Sequence, residues 1–159
     1  MTLKSRMANT YTQIHIQFVF AVKHRNGLIH STFKNELYQY ISGIIKFNNH
    51  KLLAINGMPD HLHILIGMRP TQSISALMQD IKANSSKWIN EKRFLKIRFE
   101  WQEGYGAFSY SKSHVSSVID YIKNQEQHHA IKTFQDEYLE FLNLCEVEYD
   151  ERYIFKEPI

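Results

Sequence analysis

The sequence predicts an α+β fold in which an antiparallel sheet carries helices on one face. Three observations predict it. Short segments that alternate apolar and polar residues interleave with longer ones whose apolar residues recur at helical spacing. Two of the short segments, Leu52 to Met58 and His61 to Met68, are separated by Pro59 and Asp60 alone. So short a connection joins neighbouring strands as an antiparallel hairpin. The element order, strand, helix, two strands, helix, strand, is that of a split βαβ unit.

The first strand is expected from Tyr11 to Val22, where Ile14, Ile16, Phe18 and Phe20 alternate with Gln13, His15 and Gln17. Lys23-His24-Arg25-Asn26-Gly27 then makes a basic turn. Ser31 is placed to cap a helix over 32–48, with Phe33, Leu37, Ile41, Ile44 and Ile45 on its buried face. The hairpin follows. Ser73 or Thr71 caps a second helix that reaches about Arg93 and buries Ile74, Leu77, Met78, Ile81, Trp88 and Ile89. The aromatic stretch from Phe99 to Ser111, punctuated by Gly104 and Gly106, reads as an irregular loop leading into a fourth strand. Ser113 caps a third helix to about His129, striped by Val115, Val118, Ile119 and Ile122. Residues 133–155 hold a last helix and an acidic, tyrosine-rich tail. The expected architecture is thus a ferredoxin-like sheet with two helices on one face, plus C-terminal helices.

One domain spans residues 1–159, ending in an acidic segment from about 134 to 159. At 43% hydrophobic, with three prolines and six glycines, the chain can bury a sizeable core and has little room for linkers. No repeat or signal-peptide core is visible, and no apolar run approaches the ~20 residues of a membrane helix. Cys145, the single cysteine, has no intrachain partner, which points to the reducing cytoplasm. Residues 1–133 hold 17 Lys and Arg against 8 Asp and Glu, a net +9; residues 134–159 hold 2 against 8, a net −6. A basic body suits a polyanion such as nucleic acid, against the blander alternative of a solvated basic surface. Lys23, Arg25, Arg69, Lys82 and Lys87 are the candidates to grip phosphates.

The chemistry centres on Pro59-Asp60-His61-Leu62-His63-Ile64-Leu65-Ile66. Successive strand side chains point to opposite faces, so His61 and His63 share one face. On the third helix Tyr121 and Gln125 are an i,i+4 pair. Two imidazoles and one amide oxygen would hold a divalent cation with several positions open, as a catalytic metal needs. Such donors suit Mg²⁺ or Mn²⁺, with Zn²⁺ also admitted. A tyrosine hydroxyl beside that cation is a candidate nucleophile, although its free pKa of ~10 requires help from the metal. The blander alternatives are ordinary strand histidines, a boundary tyrosine and a solvated glutamine. Tyr110 is the nearest competitor to Tyr121 but lacks a partner like Gln125. The aromatic stretch Trp101 to Tyr110 is either core or a platform for unpaired bases.

These segments together resemble the single-tyrosine HUH transposases of bacterial insertion sequences. The resemblance rests on His61-Leu62-His63 after Pro59-Asp60, on Trp101-Gln102-Glu103-Gly104-Tyr105-Gly106-Ala107-Phe108-Ser109, on Tyr121-Ile122-Lys123-Asn124-Gln125 before His128-His129, and on Tyr149-Asp150-Glu151-Arg152-Tyr153. It implies a ferredoxin-like fold, His61, His63 and Gln125 as metal ligands, and Tyr121 as nucleophile. The implied reaction is attack on a phosphodiester of single-stranded DNA, leaving a 3′-OH and a 5′-phosphotyrosine that a second 3′-OH resolves. No ATP is needed, and no P-loop is present. The resemblance also implies recognition of DNA hairpins and a homodimer whose active sites are shared between subunits. It places no ligand at His114, His128 or His129, which are expected to be structural or DNA-proximal. A domesticated nuclease acting on dispersed repeats would share this chemistry. A non-catalytic nucleic-acid-binding module on the same sheet is the reading from another class.

Overall fold

Four strands, Ile14–Ala21 (β1), Lys51–Met58 (β2), His61–Met68 (β3) and Gly106–Tyr110 (β4), pair in the order β2-β3-β1-β4, every neighbour antiparallel. The structure, a computed structural model, describes residues 10–130 and 132–148. Among the described residues five α-helices accompany the sheet, Lys34–Phe47 (α1), Ile74–Lys92 (α2), Lys112–Lys123 (α3), Gln125–His129 (α4) and Phe134–Leu144 (α5), with a 3-10 turn at Lys23–Arg25. The strand order and connections are those of the predicted ferredoxin-like sheet. The segment Tyr149 to Tyr153 lies outside the described residues.

One face of the sheet presents Ile16, Phe18, Phe20, Leu62, Ile64 and Ile66 to Leu37, Ile41 and Ile45 of α1 and to Leu77, Met78, Ile81 and Ile89 of α2. Fully burying one such side chain is worth about 1.5–3 kcal/mol, so this layer fixes the platform. The C-terminal helices cover the other face. Val115, Val118 and Ile122 of α3 pack on Ala54 and Leu65, while Phe134 and Leu142 of α5 pack on Val19, Ala21 and Phe108. A sheet covered on both faces buries both sets of its side chains. Gln17, His61 and His63, which alternation assigns to a half-exposed face, are therefore fully buried. That second face is no open platform of the kind an RNA-recognition module presents.

Several boundaries differ from the sequence reading, each for a local reason. The first strand begins at Ile14, not Tyr11. Helix α1 starts at Lys34, because the chain first turns through residues 31–33; Ser31 does not cap it, and the preceding Phe33 supplies no side-chain cap. Ser73, not Thr71, caps α2, its Oγ accepting from the Ala76 N–H at 3.1 Å. The third helix does not run to His129: it ends at Lys123, breaks at Asn124 and resumes as α4. Its N-cap position is Ser111, not Ser113. Asn56 of β2 explains the break, since its Nδ2 donates to the carbonyls of Ile122 and Lys123 at 3.0 and 3.1 Å. A side chain thus satisfies carbonyls that a helix end leaves without partners.

Two glycines are required by close approach. A Cβ at Gly57 would stand 2.1 Å from the His61 carbonyl oxygen and 2.9 Å from the Leu62 Cα. A Cβ at Gly106 would stand 2.8 Å from a ring carbon of Tyr138. The first lets β2 lie against the start of β3; the second lets α5 lie against β4.

Candidate active site

His61 and His63 face the C-terminal helices from β3, opposite Ala21 and Val19 of β1. Their rings lie 5.3 Å apart, nearly perpendicular. Each is oriented through the nitrogen that faces away from the site. Asp60 Oδ1 lies 2.7 Å from His61 Nδ1. Gln17 Nε2 lies 2.9 Å from His63 Nδ1, and the Tyr110 hydroxyl donates to Gln17 Oε1 at 2.9 Å. The Asp60 carboxylate on the far nitrogen fixes the His61 tautomer whose Nε2 can bind a metal; for His63 the same tautomer has the Gln17 amide turned by a half-turn, its oxygen toward Nδ1 and its nitrogen toward the Tyr110 hydroxyl. Burial pushes the Asp60 carboxyl up, but the hydrogen bond and charge of His61, with the charge of Arg25, hold it below its ordinary range.

The near nitrogens converge. His61 Nε2 lies 3.1 Å from His129 Nε2. His63 Nε2 lies 3.0 Å from Glu137 Oε1, which is 3.3 Å from His129 Nε2 and 3.8 Å from His61 Nε2. One donor atom from each of these four residues falls within 4.8 Å of the others. Three imidazole nitrogens and one carboxylate oxygen, without a thiolate, are a donor set for a divalent cation. Gln125, fully buried, adds an amide oxygen 3.4 Å from His61 Nε2 and 3.2 Å from His129 Nε2. The residues present therefore fit a metal.

The electrostatics suit such an occupant. Burial raises the Glu137 carboxyl to about 7, against the opposing pull of His61. Burial, then the charges of His61 and His63, lowers His129 to about 4. At neutral pH His129 is thus an uncharged imidazole, the form that binds metals.

Tyr121 stands beside this cluster. Its hydroxyl donates to Glu137 Oε2, and its ring meets His63 edge-on at 5.9 Å and Phe141 at 5.7 Å. One chain thus brings together all four residues singled out from the sequence: His61, His63, Tyr121 and Gln125. Tyr110, the competitor, is occupied in orienting Gln17.

Two parts of the cluster escaped the sequence reading. His129 was expected to be structural or DNA-proximal, yet it points into the histidine pair. Glu137 went unnoticed, although it stands three residues after Phe134 and four before Phe141 on an otherwise apolar helix face. An acid in such a stripe is a legible signal. The basic candidates are dispersed. Lys23 pairs with Glu100 at 3.3 Å. Arg25 acts on Asp60. Lys82 donates to the carbonyls of Gln102 and Gly104 at 2.7 and 2.9 Å, so it braces a loop. Arg69 lines a cavity with Lys51 and His15 at the far end of β1, and Lys87 lines a groove with Arg93 and Arg98. Trp101 is core: its indole N–H donates to Ser85 Oγ at 2.9 Å and its ring packs on Phe20 and Phe99.

Comparison with known proteins gives the family and agrees with the fold. Residues 10–125 match the family described as transposase IS200 like. The chain is 26% identical over 125 residues to the transposase for insertion sequence element IS200 of Salmonella typhimurium, covering 75% of this chain and 81% of that one. It is 22% identical over 118 residues to the ISDra2 transposase TnpA of Deinococcus radiodurans, covering 71% and 84%. The fold superposes on a putative transposase from Deinococcus radiodurans with a TM-score of 0.60 at 22% identity, covering 73% of this chain and 93% of that one. It also superposes on a REP-associated tyrosine transposase bound to a REP hairpin with a TM-score of 0.59 at 17% identity, covering 76% and 71%.

Proposed function

This chain belongs to the IS200-like transposase family, a family of DNA-processing enzymes, and we propose that it cuts and rejoins single-stranded DNA at insertion-sequence ends through Tyr121. The observation that carries the reading is the carboxylate of Glu137. One oxygen accepts from the Tyr121 hydroxyl and the other faces His61, His63 and His129. A single side chain thereby joins the nucleophile to the donors for a cation.

We propose that His61, His63 and Gln125 hold the cation, with His129 and Glu137 as the further donors that the geometry adds. Bound there, a divalent cation would polarise a phosphodiester as a Lewis acid. Imidazole-rich donors favour Mn²⁺ or Zn²⁺ over Mg²⁺. The chain's own residues do the rest. Asp60 and Gln17 keep both imidazoles turned into the site. Glu137 Oε2 holds the phenolic hydrogen and so aims the Tyr121 oxygen. A Tyr121 oxygen–phosphorus bond forms as the phosphorus–O3′ bond breaks. The phenol loses its proton, the 3′ oxygen gains one, and a 5′-phosphotyrosine remains. A 3′-OH on another strand reverses the exchange, so the bond energy is kept.

The substrate in this reading carries hairpin ends, as the REP hairpin bound by the tyrosine transposase of similar fold suggests. A homodimer belongs to the reading through the resemblance, and the cytoplasm is where it would act. The contact of Tyr121 with His63 in one chain supports chemistry in cis. Mixing His61→Ala with Tyr121→Phe protein separates the arrangements: restored activity means a site shared between subunits, and none means a self-contained one.

The decisive experiment is a denaturing gel of the protein with 3′-labelled single-stranded DNA from the flanks of its own gene, with Mn²⁺ or Mg²⁺. A slow, denaturant-resistant band that vanishes with EDTA and in Tyr121→Phe is expected. A band that survives in Tyr121→Phe would remove Tyr121 from the reaction.

A further inference from the structure

A concentration of positive charge lies outside the Tyr121 site. Residues 87–98 hold five Lys and Arg, at Lys87, Lys92, Arg93, Lys96 and Arg98, against Glu91 alone, so twelve residues contribute +4 of the +9 in residues 1–133. All five are exposed, and among the described residues none has an acidic partner at ion-pairing distance. Lys92 stands in the last turn of α2, where a cation offsets the helix dipole and needs no ligand to explain it. Lys87, Arg93 and Arg98 differ. They line one open groove, with Glu91 the acid beside them, for a net +2.

Two features give the groove a fixed shape. Asn90 clasps the loop beyond α2: its Nδ2 donates to the Phe99 carbonyl at 3.0 Å, and its Oδ1 accepts from the Phe99 N–H at 2.8 Å. Arg93 closes α2 in the left-handed region, at φ 57° and ψ 40°. That conformation costs a residue with a Cβ roughly 1–2 kcal/mol, and glycine or asparagine ordinarily takes it. An arginine there keeps its charge at the groove against that strain. The groove also lies toward the histidine end of the sheet. Beyond Arg98 the chain runs along the end of β1, where the Lys23 N–H donates to the Glu100 carbonyl at 3.0 Å and the Gln102 N–H to the Ala21 carbonyl at 2.8 Å. Ala21 is the residue that pairs with His61.

We propose that this groove takes the phosphate backbone of duplex DNA, holding a paired part of the substrate while its single strand passes to Tyr121. A duplex presents one negative charge per ~1.7 Å of its axis, which suits several fixed cations along one groove. Charge without rings selects paired over unpaired DNA, because unpaired bases are held by aromatic stacking. No aromatic side chain lines the groove. The nearby rings are engaged already, Trp88 stacking on Tyr40 at 4.9 Å and Phe94 on Phe33 at 4.6 Å. Phosphate contacts carry no sequence, so the groove supplies affinity and orientation and leaves the choice of cleavage site to other parts of the complex. This inference rests on the proposed reading that the substrate is DNA with hairpin ends.

The test is fluorescence anisotropy of the full-length chain over a salt series in EDTA, with a short blunt DNA duplex of arbitrary sequence and with oligo-dT of equal length. The readout is binding alone, so failure of the groove and failure of Tyr121 as nucleophile are told apart. Lys87→Gln, Arg93→Asn and Arg98→Gln together should lower the slope of log K against log salt by about 2.7 for the duplex, ~0.9 for each phosphate contact released. The slope for oligo-dT should hold. Asparagine suits the left-handed position, so Arg93→Asn alone should keep the melting temperature while lowering the duplex slope by about 0.9. Lys46→Gln, Lys51→Gln and Lys112→Gln, which remove three exposed charges elsewhere, should change it little. An unchanged slope in the groove variant, an equal fall in the control variant, an equal fall for oligo-dT, or a parent that binds oligo-dT but no duplex would each overturn this assignment alone. A parent that binds neither would remove DNA as the substrate, and the groove's role with it.

Discussion

Replacing Gly57 by alanine should break the hairpin where it carries His61. The added Cβ would stand 2.1 Å from the His61 carbonyl oxygen, 2.9 Å from the Leu62 Cα and 2.9 Å from the Leu62 Cδ2. Two of these three atoms are backbone, so a rotamer change cannot relieve the contact. Leu62 and Ile64 are fully buried against α1 and α2, so β3 cannot retreat without opening the core. Overpacking of this kind costs about 1–3 kcal/mol when side chains yield, and backbone obstacles put Gly57→Ala at the top of that range. At about 2–4 °C per kcal/mol for a chain of this length, the melting temperature should fall by roughly 6–12 °C. Gly43→Ala is the control. Gly43 lies within α1 with nothing within 4 Å of an added Cβ, so that change should stabilise by about 0.5–1 kcal/mol. Urea unfolding followed by circular dichroism reads both variants. Gly57→Ala within about 0.5 kcal/mol of the parent, with unchanged slope, would refute the close approach from which the His61 geometry is argued.

Mn²⁺ at a hundred times its dissociation constant should stabilise the protein by about 2.7 kcal/mol, seen as a rise in melting temperature that His61→Ala and His63→Ala abolish. An equal rise in either variant would place the ion elsewhere. Asn56→Ala should cost about 1–3 kcal/mol in chemical denaturation by leaving the carbonyls of Ile122 and Lys123 without their donor. Thr133 caps α5 by accepting from the Asp136 N–H, so Thr133→Ala should cost about 1 kcal/mol. Because α5 carries Glu137, the same variant should also weaken Mn²⁺ binding in calorimetry. Unchanged Mn²⁺ affinity would detach Glu137 from the cation.

The sheet and its first two helices were legible because period-2 and period-3.6 patterns are local properties of the chain. The pairing of His61 with His63 was legible from alternation on one strand, and Tyr121 and Gln125 stood out as candidates by their four-residue spacing, although the helix breaks between them at Asn124. His129 and Glu137 were not, because their place in the site depends on how α4 and α5 fold back across the sheet. The burial of Gln17 was hidden for the same reason: alternation marks it as outward-facing, and the C-terminal helices alone make that direction an interior. Lys82 differs in the opposite sense. Charge made it a candidate to grip phosphates, and in the fold its ammonium braces the carbonyls of a loop.

The break at Asn124 alters what the four-residue spacing from Tyr121 to Gln125 means. In an unbroken helix that spacing would be kept by repetition, and adding a residue would rotate everything beyond it by about 100°. Here Asn56, from a different strand, fastens the last carbonyls of α3, and Gln125 begins a new helix. The side chains on the two sides of the joint are therefore indexed to the sheet independently. In-frame insertions or deletions should be absorbed poorly at Asn124, where the joint itself is anchored, and better between α4 and α5. Length changes tolerated across related genes should cluster in that second stretch.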